Sequence, residues 1–205
     1  MVGSLFIISA PSGAGKTSLV SKLIEKDQHI QVSISSTTRP KRPGEEEGIN
    51  YHFLSLEAFE HKVAQQDFLE HAQVFDNYYG TSKSTVEQQL ADGKDVILEI
   101  DWQGAEQVRK LITDAITIFI LPPSLKALEA RLKNRATDSD EVIARRMKDA
   151  VSEMQHYREF DYLVINNHFD IALDNLHSIF LANRQTRHRQ TSQHPILINE
   201  LINQN

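Results

Sequence analysis

Ser4-Leu5-Phe6-Ile7-Ile8-Ser9, running into Ala10-Pro11-Ser12-Gly13-Ala14-Gly15-Lys16-Thr17, decides how this chain is read. An apolar, β-prone run enters a loop of small residues, and the loop ends in Gly-Lys-Thr at the head of a helical pattern. Strand, small-residue loop and helix in that order form the phosphate-binding P-loop. Its glycines let backbone N–H groups close around phosphate oxygens. Lys16 is expected to reach the outer phosphates and the Thr17 hydroxyl to ligate Mg²⁺. The first turn of the helix adds free N–H groups and partial positive charge. Ala10 stands where the pattern has its first glycine, which requires a negative φ at that residue.

Working outward, apolar or alternating runs predict strands over Leu5–Ser9, Gln31–Ser35, Tyr51–Leu54, Val96–Asp101, Ile116–Leu121 and Asp161–Asn166. Helical spacing is predicted over Thr17–Lys26, Leu56–Gln65, Ser84–Ala91, Gly104–Leu111, Ser124–Asn134, Glu141–Phe160 and Asp170–Arg187. Alternation of the two implies βαβ units around a parallel sheet. Leu5–Ser9, Val96–Ile100 and Ile116–Leu121 are almost continuously apolar, as strands covered on both faces must be. The expected fold is α/β: a P-loop parallel-sheet core with helices on both faces, about 1–34, 82–123 and 161–205. Residues 35–81, rich in Thr, Pro, Gly, Tyr and charge, predict an inserted lobe of mixed strands with one helix. Residues 124–160 are nearly all helical and arginine-rich, which suits a mobile lid. Pro195-Ile196-Leu197-Ile198 predicts the start of a short docked helix.

Composition narrows the function. The 205 residues are 40% hydrophobic and 24% charged, ordinary for a globular domain. Lys and Arg number 22 against 28 Asp and Glu, a formal net charge of −6, which argues against general nucleic-acid or membrane-surface binding. The chain has no cysteine, hence no disulfide or thiolate metal site. Its start has no cationic segment of a secretory signal, and no apolar run reaches a membrane span of roughly 18 residues. A cytoplasmic address is expected, and a monomer and a homo-oligomer are both compatible with the sequence.

Four further stretches can carry chemistry. Val96-Ile97-Leu98-Glu99-Ile100-Asp101-Trp102-Gln103-Gly104 is a strand ending in carboxylates, the form that helps hold Mg²⁺ through water. Asp101–Gly104 also fits a GTPase DxxG, but no Asn-Lys-x-Asp or Thr-Lys-x-Asp accompanies it, which counts against a switch GTPase. Arg39, Lys41 and Arg42 lie in Ser33-Ile34-Ser35-Ser36-Thr37-Thr38-Arg39-Pro40-Lys41-Arg42-Pro43-Gly44. Forked arginine donors suit a phosphate, and a solvated charged turn before Glu45-Glu46-Glu47 is an equal reading. Phe68-Leu69-Glu70-His71-Ala72 and Asn77-Tyr78-Tyr79-Gly80-Thr81 offer a carboxylate able to accept two donors from one base edge, and tyrosine hydroxyls. Core aromatics beside a surface glutamate are the plainer alternative. Arg131, Arg135, Arg145 and Arg146 lie on the lid candidate, where cations could meet the charge of a transferring phosphoryl group. Nine histidines show no metal-ligand spacing.

Taken together, these segments resemble the guanylate kinases, from Leu5 to about Arg184, with Ile118-Phe119-Ile120-Leu121-Pro122-Pro123 as a further point of likeness. The resemblance implies an ATP-dependent conversion of GMP to GDP, with Mg²⁺. It implies that the inserted lobe binds GMP and that the lid closes over ATP. Arg39, Arg42, Tyr51 and Tyr79 would hold the GMP phosphate. Glu70 would accept from the guanine N1–H and 2-amino group, with Ser35, Thr81 and Asp101 at the base edge. Ala10, Pro11, Ser12, Gly13, Ala14, Gly15, Lys16 and Thr17 would cradle the ATP phosphates. Lys16, Arg39, Arg135 and Arg146 would be catalytic, with Arg131 also along ATP and Asn166 toward adenine. Thr17 and, through water, Glu99 would place the metal.

The expected chemistry needs no general base, since the attacking phosphate oxygen is already ionised. Alignment and charge neutralisation suffice. Three positions depart from the family's common form: Glu99 where aspartate is usual, Thr81 where serine is frequent, and Ala136 after Arg135 where glycine is common. The alternatives are a nucleoside monophosphate kinase of other base preference and a non-catalytic guanylate-kinase-like interaction module.

Overall fold

The computed structural model describes residues 3–74, 76–133 and 140–203. β1 (Leu5–Ser9) is the central strand of a parallel five-stranded sheet. β7 (Asp95–Glu99) and then β2 (Ile30–Val32) lie on one side of it. β8 (Ile116–Leu121) and then β9 (Tyr162–Ile165) lie on the other. The β1 register pairs Leu5 with Val96 and Phe6 with Ile116. Chain flow leaves β1 toward β2 and later crosses it from β7 to β8, so the carboxyl ends of the strands frame a crevice.

The alternation of β1 side chains explains both core layers. Phe6 and Ile8 point to the side covered by α1 (Lys16–Lys26) and α7 (Phe169–Arg184), packing with Leu19, Leu23, Leu176 and Phe180. Phe6 and Phe180 stack at 3.8 Å between ring centroids. Leu5 and Ile7 point to the other side, with Val86 of α3 (Lys83–Ala91) and Ala105 and Val108 of α4 (Trp102–Leu111). β1 is buried throughout, as its unbroken apolar run requires. A third, small cluster joins Leu128 and Leu132 of α5 (Leu125–Lys133) to Ala150 of α6 (Asp140–Met154).

A second sheet has the order β4-β3-β6-β5. It holds β3 (Ser36–Thr37), β4 (His52–Phe53), β5 (Phe68–Val74) and β6 (Asn77–Ser82), with α2 (Leu56–Ala64) preceding β5. The strand predicted over Gln31–Ser35 divides here. Its first half pairs with β7, and the chain then crosses Ser33–Ser35 into the second sheet. The β5–β6 hairpin was not among the predicted strands, because its faces are half polar. The predicted helix Glu141–Phe160 ends at Met154 and tightens into a 3₁₀ turn over Gln155–Glu159. The predicted Asp170–Arg187 helix stops at Arg184, and α8 (Arg187–Gln193) restarts beyond it. α9 (Pro195–Ile202) forms with proline in its first turn, but it is not docked. Ile196, Leu197, Leu201 and Ile202 are all exposed. Among the described residues no helix is long and apolar enough to cross a membrane.

Candidate active site

At the carboxyl end of β1 the loop from Ala10 to Gly15 turns the chain into α1. Gly13 and Gly15 take φ of 89° and 96°, a left-handed backbone that a side chain would strain. Ala10 has no such φ, as a non-glycine residue there requires. Arg131 and Asn166 hold the loop from behind. Asn166 Nδ2 donates to the Ala14 carbonyl at 2.8 Å, and Arg131 donates to the same carbonyl at 3.2 Å and to the Asn166 carbonyl at 3.0 Å.

In front of the loop lies a cavity of about 370 Å³. One wall is Ala10, Pro11, Ser12, Gly13, Gly15, Lys16 and Thr17. The opposite wall is Ser35, Tyr51, Glu70 and Tyr79, with Glu99 and Asp101 between them at the end of β7. The two sheets thus meet across one cleft. Burial pushes the Lys16 ammonium below its usual range, against the opposing pull of Glu99, Asp101 and Glu153. Thr17 Oγ1 stands 3.4 Å from Glu99 Oε2.

Glu70 is 4% exposed. Its Oε1 accepts from Thr81 Oγ1 at 2.6 Å, across the β5–β6 pair. Burial, with Asp101 adding like charge, pushes the Glu70 carboxyl up to about 7 despite the Thr81 hydrogen bond. Thr81 therefore lies behind Glu70 and is not part of the cavity wall. Asp101 caps α4, its Oδ1 accepting from the Gly104 N–H at 2.9 Å.

Arg39 lies above the Tyr51 ring at 5.4 Å, and its Nη2 donates to Glu45 Oε1 at 2.6 Å. That bond to Glu45 raises the guanidinium pKa further. Glu45 Oε2 accepts from the Arg42 backbone N–H at 2.8 Å, while the Arg42 side chain is exposed outside the cavity. On the lid candidate, Arg146 Nη2 donates to Ser12 Oγ at 2.9 Å. Arg135, predicted to be catalytic, and Ala136 lie outside the described residues.

Sequence reasoning missed Glu45 and Glu153. Glu45 belongs to the acidic run read as solvated, yet its side chain is only 18% exposed against Arg39. Glu153 lines the cavity and accepts from the Ser12 N–H, and its burial pushes its carboxyl pKa up. Its place two helical turns after Arg146, on one face of α6, was the available signal. A second cavity, also of about 370 Å³, lies on the outer side of the P-loop, lined by Gly13, Gly15, Ser18, Arg131, Asn166, Asn167 and Phe169.

The family model "Guanylate kinase" matches residues 3–183. The chain belongs to the guanylate kinase family. It is 74% identical over 204 residues to a guanylate kinase of Hydrogenovibrio crunogenus, covering 100% of both chains. It is 56% identical to one of Alkalilimnicola ehrlichii, covering 98% of each. The fold is similar to the crystal structure of guanylate kinase from Anaplasma phagocytophilum. The TM-score there is 0.77 at 31% identity, over 92% of this chain and 89% of that one. Membership in a family of kinases accounts for the P-loop facing a second polar wall across one cleft.

Proposed function

We propose that the chain transfers the γ-phosphoryl group of ATP to GMP, yielding ADP and GDP. One observation carries this reading: the P-loop wall with Lys16 and the wall with Glu70, Tyr51 and Tyr79 line the same cavity. ATP phosphates fit the loop, and a guanine edge fits a buried carboxylate that can accept both N1–H and the 2-amino group. Adenine has an acceptor at N1, which would face that carboxylate and leave it unpaired. The GMP phosphate would then lie near Tyr51, Tyr79 and Arg39, with Ser35 and Asp101 beside the base; Arg42, exposed outside the cavity, would have to turn inward to join them. Adenine of ATP fits the outer cavity beside Arg131 and Asn166.

The second sheet and α2, residues 35–81, serve as the GMP lobe, and residues 124–160 as the lid. Lys16, Arg39 and Arg146 would meet the negative charge of the transferring group, the role the resemblance also gives to Arg135, which lies outside the described residues. The donor set of Thr17 hydroxyl and Glu99 carboxylate is all oxygen, which suits Mg²⁺. When bound, that ion neutralises phosphate charge during transfer. We assign the enzyme to the cytoplasm, with free nucleotides as its partners; the net charge of −6 disfavours nucleic acid and membrane surfaces.

The test is ADP release with Mg²⁺ and GMP, AMP, dTMP or UMP as acceptor. GMP is expected to be preferred over AMP by on the order of 10⁴-fold in kcat/KM. Comparable turnover with AMP would remove the guanine assignment, and no turnover with any acceptor would leave a binding module.

A further inference from the structure

Glu70 lies on β5, the outermost strand of the second sheet, whose far edge has no strand beside it among the described residues. That edge is met by α4. Gln107 Oε1 accepts from the His71 N–H at 3.2 Å, and Gln107 Nε2 donates to the His71 carbonyl at 2.9 Å. One side-chain amide thus pairs with both backbone groups of the residue that follows Glu70, as a neighbouring strand would. Gly104 lies three residues earlier, on the same face of α4. A Cβ built there would stand 2.8 Å from Glu70 Oε2 and 3.3 Å from its Cδ. Helix geometry does not call for glycine at this place, and alanine is the better helix former.

We infer that Gly104 and Gln107 are positioning residues for base selection, the glycine leaving room for the Glu70 carboxylate and the glutamine holding the strand that bears it. The inference rests on the assignment of Glu70 to the guanine edge. The atom closest to an added Cβ is the far end of the Glu70 side chain. What yields first in a Gly104→Ala protein is therefore the carboxylate, with the fold retained, since the Ile100 Cβ at 3.3 Å needs a shift of only a few tenths of an ångström. Displaced from the Gly104 side, the carboxylate keeps its Thr81 bond and loses the placement that lets it accept two donors at once.

The experiment compares GMP with inosine monophosphate, which keeps the N1–H and lacks the 2-amino group, in steady-state kinetics. G104A is expected to raise the GMP KM about tenfold, to leave the ATP KM within about twofold, and to lower the GMP-to-IMP preference in kcat/KM about fivefold. Q107A moves the same quantities in the same direction by about threefold. Shortening the acid relieves the contact, so G104A combined with Glu70→Asp loses less than the product of the two single effects. Unchanged GMP KM and GMP-to-IMP preference in G104A, beside a raised GMP KM in Glu70→Gln, overturn the inference alone. An unchanged GMP KM in Glu70→Gln overturns the base assignment and the inference with it. If G104A does not fold, Q107A decides by the same measurements.

Discussion

Lys16 and Glu70 face one cavity, and because both are held from water each is pushed toward its neutral form. For Glu70 the consequence is a pH dependence. With its carboxyl at about 7, the ionised form, the one proposed to accept the guanine donors, is about a tenth of the population at pH 6 and about nine tenths at pH 8. GMP affinity should therefore improve about tenfold from pH 6 to pH 8. Calorimetric titration measures it, and Glu70→Gln isolates the part due to the GMP phosphate, which itself titrates near pH ~6. A wild-type profile that coincides with that of the variant would refute the assignment. The same shift opposes folding as pH rises from 4.5 toward 7 in the ligand-free protein, since the unfolded chain releases that proton first. Lys16→Ala should lower kcat by about 10²–10³-fold without lowering the melting temperature, because the interaction that the proposal assigns to Lys16 is with the transferring phosphate. Turnover near wild type would take Lys16 out of the phosphate site.

Among the elements, the P-loop depends on a brace that its own sequence does not contain. The Ala14 carbonyl is held by Asn166, just after β9, and by Arg131 on α5. Asn166→Ala removes a buried donor, leaves Arg131 alone on that carbonyl, and should cost about 1–3 kcal/mol. The ATP KM should rise about tenfold while the GMP KM stays within about twofold, since the brace touches only the donor side. Equal rises for both substrates would mean that Asn166 supports the whole cleft instead. This brace also shows where sequence reading stopped. β1 and β8 were legible end to end because burial on both faces leaves only apolar side chains along them. β5 and β6 were not, since the consecutive polar residues Glu70 and His71 break the alternation of apolar and polar side chains along β5, and the register is irregular between Phe68 and Glu70. The P-loop was legible because its chemistry lies in a local pattern, whereas Glu70 was named through the family resemblance, its own segment reading more plainly as core aromatics beside a surface glutamate. Glu45, which takes the Arg39 guanidinium, and Gln107, which holds the β5 edge, are ordinary surface residues until the fold sets them beside their partners.

At the scale of the whole molecule, a buried ionic network closes the end of the sheet opposite the cleft. Asp95, 1% exposed at the start of β7, accepts from Arg184 Nε at 2.7 Å and from the Ser4 N–H at 3.0 Å, with Arg189 Nη2 3.2 Å away. Arg184 Nη1 donates to Asp27 Oδ2 at 2.7 Å, where His177 Nε2 also lies at 2.9 Å. α7 and α8 are thereby tied to the starts of β1 and β7 and to Asp27 at the end of α1, which fixes these two helices onto the core. Burial alone would raise the Asp27 pKa, but the hydrogen bonds from Arg184 and His177 outweigh it and hold the carboxyl at about 2 against an ordinary 3.8. A folded-state value below the unfolded one gives stability that is complete above about 3.8 and is lost as pH falls toward 2. With screening by nearby solvent the contribution is about 1–2 kcal/mol. Urea unfolding of wild type and Asp27→Asn should give a stability difference that is flat between pH 5 and 7 and shrinks below about pH 4. Arg184→Ala leaves two buried carboxylates without their shared cation and should cost about 3–5 kcal/mol at pH 7. That loss should be smaller at pH 4, where Asp27, freed of the cation that holds its carboxyl low, takes up a proton and the buried charge is relieved. A loss for Arg184→Ala that is the same at both pH values would show that its alkyl packing, and not the charge network, holds the helices to the sheet.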